Sequence, residues 1–272
     1  MISKFSIFCF VSCFCFISEA QDVLLFSDAR SESLGGICAL NKGWWSCFSN
    51  PAGLAHDNSK GFGLNYSNYY GIPETSSGAF ALNIGVKPGN MGIGFISTGF
   101  GAINENKAAL AYAQSVGRKL KAGIAINWLH YSQPGDYRDL YAWIPTVGLQ
   151  WHPGEKWHAA ISLANPTGQE YIPSGYRKLN RYLATGATFN PSEDFLILIE
   201  IQSVSHHDMR YVVGIETSPV DFFVMRLAVS RQYYFMYAAG IGFSKNRVSA
   251  DVTVSHHPVL GLSPSTSLNF KF

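Results

Sequence analysis

From Gly61 to the C-terminus the chain keeps a two-residue rhythm, and that rhythm leaves few folds open. The stretch Phe195-Leu196-Ile197-Leu198-Ile199-Glu200-Ile201-Gln202 shows it most clearly. On a strand, Phe195, Ile197, Ile199 and Ile201 share one face, and Leu196, Leu198, Glu200 and Gln202 share the other. In most segments that repeat the pattern, the oily face is the regular one and the opposite face is small or polar. A water-soluble sandwich hides its oily faces against each other, whereas a barrel standing in lipid turns them outward. The rhythm therefore predicts an all-β fold: a transmembrane antiparallel β-barrel of about fourteen strands, each near ten residues long.

The charges obey the same partition. With the oily face outward, Lys121, Glu200, Glu216, Arg226 and Asp251 all point into the lumen. A Lys or Arg at the lipid midplane would cost about 2–4 kcal/mol, so a bilayer enforces this arrangement. Glu200, Glu216, Arg226 and Asp251 lie on neighbouring segments and are expected to form an internal ion-pair network. The closing strand ends on Leu268, Phe270 and Phe272, all outward. Trp143, Trp151, Trp157, Tyr69, Tyr70, Tyr233 and Tyr234 fall near strand ends, where amphipathic rings suit the two membrane interfaces.

The connections alternate between short and long. Lys87-Pro88-Gly89-Asn90, Gly117-Arg118-Lys119, Pro153-Gly154-Glu155-Lys156, Asn190-Pro191-Ser192-Glu193, Ser218-Pro219 and Lys245-Asn246 read as tight turns. Longer connections, notably 132–142 and 166–180, lie between them, as in barrels with short periplasmic turns and longer outer loops.

Inner positions such as Gly92, Gly94, Ala109, Ala111, Ala113, Gly123 and Gly148 are small, so the barrel should enclose a space that something fills. Residues 21–59 lack alternation and carry Trp44-Trp45 and Asn50-Pro51-Ala52-Gly53, which makes them the expected plug; a periplasmic tail is the alternative. Residues 1–20 read as a secretory signal peptide, with Lys4, an apolar core from Phe5 to Ile17, and Ser18-Glu19-Ala20 before the cleavage point. The barrel is then 60–272, and the location is the cell outer membrane. Two cysteines, Cys38 and Cys47, remain after cleavage. A disulfide between them and a pair of small buried thiols are both open.

Only 14% of the 272 residues are charged, against about 25% in a soluble domain, while 47% are hydrophobic. With a net charge of +2 and no Lys/Arg cluster, nucleic acid is excluded as a partner. His206-His207-Asp208 and His256-His257-Pro258 fall in outer connections as adjacent pairs, a spacing that does not converge on a metal. No spacing singles out a Ser/His/acid set, so no enzyme, catalytic residue, metal or cofactor is expected.

Both ends of the mature sequence resemble a known family. Asp28-Ala29-Arg30-Ser31-Glu32-Ser33-Leu34-Gly35-Gly36, followed by Ser49-Asn50-Pro51-Ala52-Gly53-Leu54-Ala55, looks like the opening of the PorV/PorQ proteins and their wider FadL-like relatives. His257-Pro258-Val259-Leu260-Gly261-Leu262, leading into Ser267-Leu268-Asn269-Phe270-Lys271-Phe272, is similar to that family's closing strand. The resemblance implies a fourteen-stranded outer-membrane barrel with an N-terminal plug. It implies a role in type IX secretion, docking secretion-system proteins or exported cargo. The alternative it carries is FadL-like transport of a hydrophobic small molecule, which enters between plug and wall while plug movement near Asn50-Pro51 opens a path.

Overall fold

The computed structural model describes residues 28–56, 60–99, 103–135, 138–172 and 179–272. The proposed signal peptide, 1–20, lies outside them. Among the described residues the strands are β1 (Gly61–Asn68), β2 (Ser76–Val86), β3 (Gly89–Thr98), β4 (Asn104–Val116), β5 (Leu120–Ser132), β6 (Leu140–Trp151), β7 (Trp157–Ala164), β8 (Tyr182–Ser192), β9 (Phe195–Val204), β10 (Arg210–Val220), β11 (Phe223–Arg231), β12 (Phe235–Lys245), β13 (Val248–His257) and β14 (Gly261–Lys271). Each pairs antiparallel with its neighbours in sequence, and β1 pairs with β14, so the sheet closes on itself. Closure leaves no edge of unpaired backbone polar groups, which hydrocarbon would not satisfy.

The predicted facing holds in β9. Ile197, Ile199 and Ile201 are exposed on the outer wall, whereas Leu198, Glu200 and Gln202 are buried inside. Ile124, on β5, is 62% exposed. An outer wall of such residues is the surface that the expected lipid-facing barrel presents. Trp143 and Trp151 both point outward on β6. Eight residues at about 3.3 Å each put them some 26 Å apart along the strand, or about 20 Å in height at a tilt near 40°, the scale of an apolar band about 25 Å tall.

The connections sort into a short-turn end and a long-loop end, but two turns fall later than expected. The sequence placed them at Asn190-Pro191-Ser192-Glu193 and Ser218-Pro219. The chain instead reverses at 193–194 and 221–222, and Pro191 and Pro219 sit inside register shifts at the ends of β8 and β10. A bulge leaves one residue unpaired, so a proline can sit there without losing a ladder hydrogen bond.

Residues 28–56 fold inside the barrel as the plug. A short helix, α1 (Ala29–Ser33), ends at Gly35 and Gly36, whose positive φ angles of 84° and 73° turn the chain back on the helix. Two single helical turns follow, Trp44–Phe48 and Pro51–His56. Trp44 and Trp45 both donate their indole N–H groups to Asn269 Oδ1 on β14, at 2.9 Å each.

Candidate functional site

The plug meets the wall through two unlike surfaces. The first is dry and close-packed. Phe48, Cys47 and Leu54 press on Ala79, Ala81, Ile96, Ala109, Ala111 and Ala113 of β2, β3 and β4. The backbone of Pro51 and Ala52 lies against Gly123, Asn50 and Pro51 lie against Gly148, and the Phe48 ring lies over Gly94; a Cβ at any of these three glycines would collide with the plug. The small inner residues read from the sequence are therefore the floor on which the plug sits.

Asn50 is the hub of this surface. Its Nδ2 donates to Ala39 O at 2.7 Å and to Ile161 O on β7 at 3.3 Å, while its Oδ1 accepts from Ala52 N at 3.1 Å. Gly53 N closes the turn on Asn50 O at 3.0 Å, and Gly53 is packed against Asn41 O and Ser46, with no room for a side chain. Wall side chains also reach plug carbonyls: Ser162 Oγ donates to Ser49 O at 2.6 Å, Lys107 Nζ to Phe48 O at 3.2 Å, and Gln150 Nε2 to Ala39 O and Asn41 O at 3.0 and 2.8 Å. Asn50, Pro51, Ala52 and Gly53, singled out in the sequence as a motif, are thus a wedge packed on Gly123 and Gly148 and tied to the wall through Asn50, while wall side chains hold the plug residues that precede it.

The second surface is polar. Glu216, Arg226 and Asp251 stand on β10, β11 and β13, and Arg226 donates Nε to Glu216 Oε2 and NH1 to Asp251 Oδ1, both at 2.6 Å. The plug adds Arg30, 3.1 Å from Glu216. Around it, Ala29 N donates to Asn65 Oδ1 at 3.0 Å and Thr253 Oγ1 donates to Ala29 O at 2.6 Å. The side chains of Arg30 and Glu216 keep 29% and 18% of their surface exposed. On the same plug segment, burial pushes the Glu32 carboxyl, near Ser265 and Arg210, up to about 8 and raises that of Asp28 as well.

One charge expected in the network, Glu200, stands apart from it, as does the lumen charge Lys121. Glu200, 1% exposed, accepts from the backbone N–H groups of Cys38 at 2.7 Å and Leu40 at 3.2 Å, and from Gln202. It holds a loop of the plug rather than a cation. Lys121, on β5, pairs with Gln150 of β6 at the short-turn end, where its charge bears on Lys42 and His56. Cys38 and Cys47 are buried free thiols in two separate apolar clusters, pushed up to about 12 by burial. Leu268, Phe270 and Phe272 close the barrel on the outer wall, and Phe270 stacks on Phe62 at 5.0 Å.

Above the plug, at the long-loop end, lies an inner apolar patch that the sequence reading placed partly in a loop. Leu129, Leu140, Ala142, Ile144, Tyr171 and Leu179 form one buried cluster. β7 stops at Ala164, so the upper half of β6 pairs with the returning loop instead: Tyr141 and Ile172 exchange backbone hydrogen bonds of 3.1 and 2.7 Å. Asn165, fully buried with φ 55°, ties the loop together by donating to the carbonyls of Gln169 and Leu179, both at 3.1 Å. Tyr171 points inward, its hydroxyl 3.2 Å from Glu105 Oε1. The alternation of Leu140, Ala142 and Ile144 was the available signal, masked because their outward neighbours Tyr141 and Trp143 are also apolar.

The histidine pairs have plain roles. His206 is exposed in the turn after β9, and His257 Nδ1 accepts from Val259 N and Leu260 N at 3.2 Å, capping the turn before β14.

No family model matches the chain, and no curated protein matches it in sequence. Solved structures do match in fold. The chain is similar to the CymD monoaromatic hydrocarbon channel, with a TM-score of 0.70 at 13% identity, covering 92% of this chain and 98% of that one. The toluene transporter TbuX of Ralstonia pickettii gives 0.68 at 12%, covering 92% and 99%. A FadL homologue of Pseudomonas aeruginosa gives 0.65 at 9%, covering 90% and 98%.

Proposed function

We propose that this chain is an outer-membrane channel that admits hydrophobic small molecules. The observation that carries the reading is the buried apolar patch of Leu129, Leu140, Ala142, Ile144, Tyr171 and Leu179 standing over a plug inside a closed barrel. These side chains are 0–6% exposed, so a ligand reaches the patch by parting Tyr171 and Leu179 of the outer loop from β5 and β6, and it then leaves water at about 25 cal/mol per Å² of surface buried. The fold likeness to proteins described as hydrocarbon channels and toluene transporters supports the same reading. It favours transport over the secretion-docking role implied by the PorV/PorQ resemblance of the two ends.

In this reading the long loops face outward and the short turns face the periplasm. A ligand collects at the apolar mouth and leaves when the plug shifts on its α1 side. The sequence reading placed plug movement near Asn50-Pro51. That segment is buried and held by wall groups, so the polar surface around Arg30 is the one that opens. Separating it breaks the partly exposed Arg30–Glu216 pair together with the buried hydrogen bonds of Ala29 to Asn65 and Thr253.

The test is a gene deletion scored two ways: uptake of a labelled monoaromatic hydrocarbon, and the set of secreted proteins carrying type IX signals. Lost uptake with normal secretion supports transport. Lost secretion with normal uptake restores the docking role and rejects this one.

A further inference from the structure

At the short-turn end three histidines meet that no sequence pattern groups. His56 ends the plug's last helical turn, and His152 and His158 flank the turn between β6 and β7. The register pairs Trp151 with Ala159, and one step further along the hairpin sets His152 across from His158. Trp151 and Trp157 are exposed on the outer wall, so their neighbours His152 and His158 point inward. The two imidazole centres are 4.3 Å apart, and His56 lies 4.6 Å from one and 5.4 Å from the other. One ring nitrogen from each residue falls within 4.8 Å of the others.

Among the described residues, three of these ring nitrogens are buried with no hydrogen-bond partner. His158 is 3% exposed, and neither its Nδ1 nor its Nε2 has a hydrogen-bond partner; His56 Nε2 is buried in the same condition. Buried polar groups are normally paired, so an unclaimed set aimed at one point calls for a ligand. An all-imidazole set suits Zn²⁺ or its transition-metal neighbours and not Ca²⁺ or Mg²⁺, which take oxygen.

We propose that His56, His152 and His158 bind one divalent transition-metal ion, Zn²⁺ by preference, and so fasten the end of the plug to the β6–β7 hairpin. Zn–N bonds of about 2.0–2.1 Å set tetrahedral nitrogens about 3.4 Å apart, so the rings must close by roughly an ångström. His152 and His158 now stack with their planes 11° apart, and one of them must turn edge-on. The broad second torsion of histidine permits that turn. Lys42 and Lys121 bear on His56 with positive charge, which favours an anionic fourth ligand such as hydroxide or a small carboxylate. The ion joins plug to wall on the close-packed side, so it strengthens the surface that stays fixed during transport.

The experiment uses the whole mature chain in detergent, stripped with EDTA and titrated with Zn²⁺, and separately with Co²⁺, whose visible absorption reports a tetrahedral nitrogen site. The expected result is one ion per chain, bound at least about tenfold more weakly by His56→Gln and His158→Ala, since losing a direct ligand costs no less than losing an outer partner. His206→Ala with His207→Ala should bind as the parent does. Because His158 is packed into the wall, His56→Gln is the decisive variant: it alters only the plug. Zn²⁺ should also slow protease cleavage within 44–56 in the parent and not in His56→Gln. Absence of binding, or undiminished binding by His56→Gln, would overturn the proposal.

Discussion

The plug's two faces differ in what holds them to the wall, and the proposed transport role gives each a different part. Against β2 to β7 it rests on glycine and alanine, with its backbone wedged where no Cβ fits and its carbonyls claimed by wall side chains. Against β10 to β14 the wall keeps its own charge cluster of Glu216, Arg226 and Asp251, and the plug contributes Arg30 to it. Packing that excludes water is lost all at once when parts separate. An ion pair at a wet edge changes partners at a cost of about 0–1 kcal/mol. The difference assigns anchoring to the helical turns and release to α1.

The largest expected effect tests whether the wall's charges stand without the plug. Arg226→Ala leaves the buried Asp251 without its partner and should cost about 3–5 kcal/mol in urea unfolding of the detergent-solubilised barrel. Arg30→Ala, at the plug end of the same cluster, should cost no more than about 1 kcal/mol, because its side chain is partly in water. Equal losses would mean that the plug is integral to the cluster, and the contrast between the faces would fail.

Next in size is the dry face. Gly148→Leu pushes a side chain into Asn50 and should destabilise the docked plug by about 1–3 kcal/mol or expel it. Increased ion conductance in planar bilayers reports this. Gly78→Val is the control, since a Cβ there meets nothing and the residue faces outward. A silent Gly148→Leu would remove the anchor from the account.

The pH response should be smaller and confined to the polar face. Burial raises the Glu32 carboxyl from its ordinary value near 4.5 to about 8. A group raised in the docked state favours docking fully below 4.5, and that contribution is lost as pH rises through 8. Hydrogen exchange across 29–33 should therefore quicken from pH 5 to pH 9 beyond the intrinsic rate, and Glu32→Gln should flatten the trend. Exchange that quickens equally across 44–56 would erase the distinction between the faces.

Much of the barrel was legible in the sequence because lipid and lumen impose opposite demands on alternate residues. Ile197, Ile199 and Ile201 could face only one way, and so could Glu200. The turns at 193–194 and 221–222 were misplaced because proline marks a chain irregularity without saying whether it is a turn or a bulge. Glu200 was assigned to an ion network because sequence shows charge and strand neighbours, whereas its partners are backbone N–H groups of Cys38 and Leu40 from a distant segment. The histidine trio was illegible for the same reason: His152 and His158 are visible as a hairpin pair, but His56 reaches them only through the fold of the plug.

The account turns on which face of the plug lets go. Paired cysteines can lock either one in a background lacking Cys38 and Cys47: Ala29→Cys with Thr253→Cys on the polar face, or Ser49→Cys with Ser162→Cys on the dry face, each at an observed contact of 2.6 Å. The measurement is uptake of a labelled monoaromatic hydrocarbon before and after reduction of the crosslink. Oxidised Ala29→Cys/Thr253→Cys should abolish uptake, with recovery on reduction, while oxidised Ser49→Cys/Ser162→Cys should transport as the parent does. Uptake that continues with α1 locked to β13 would contradict the account.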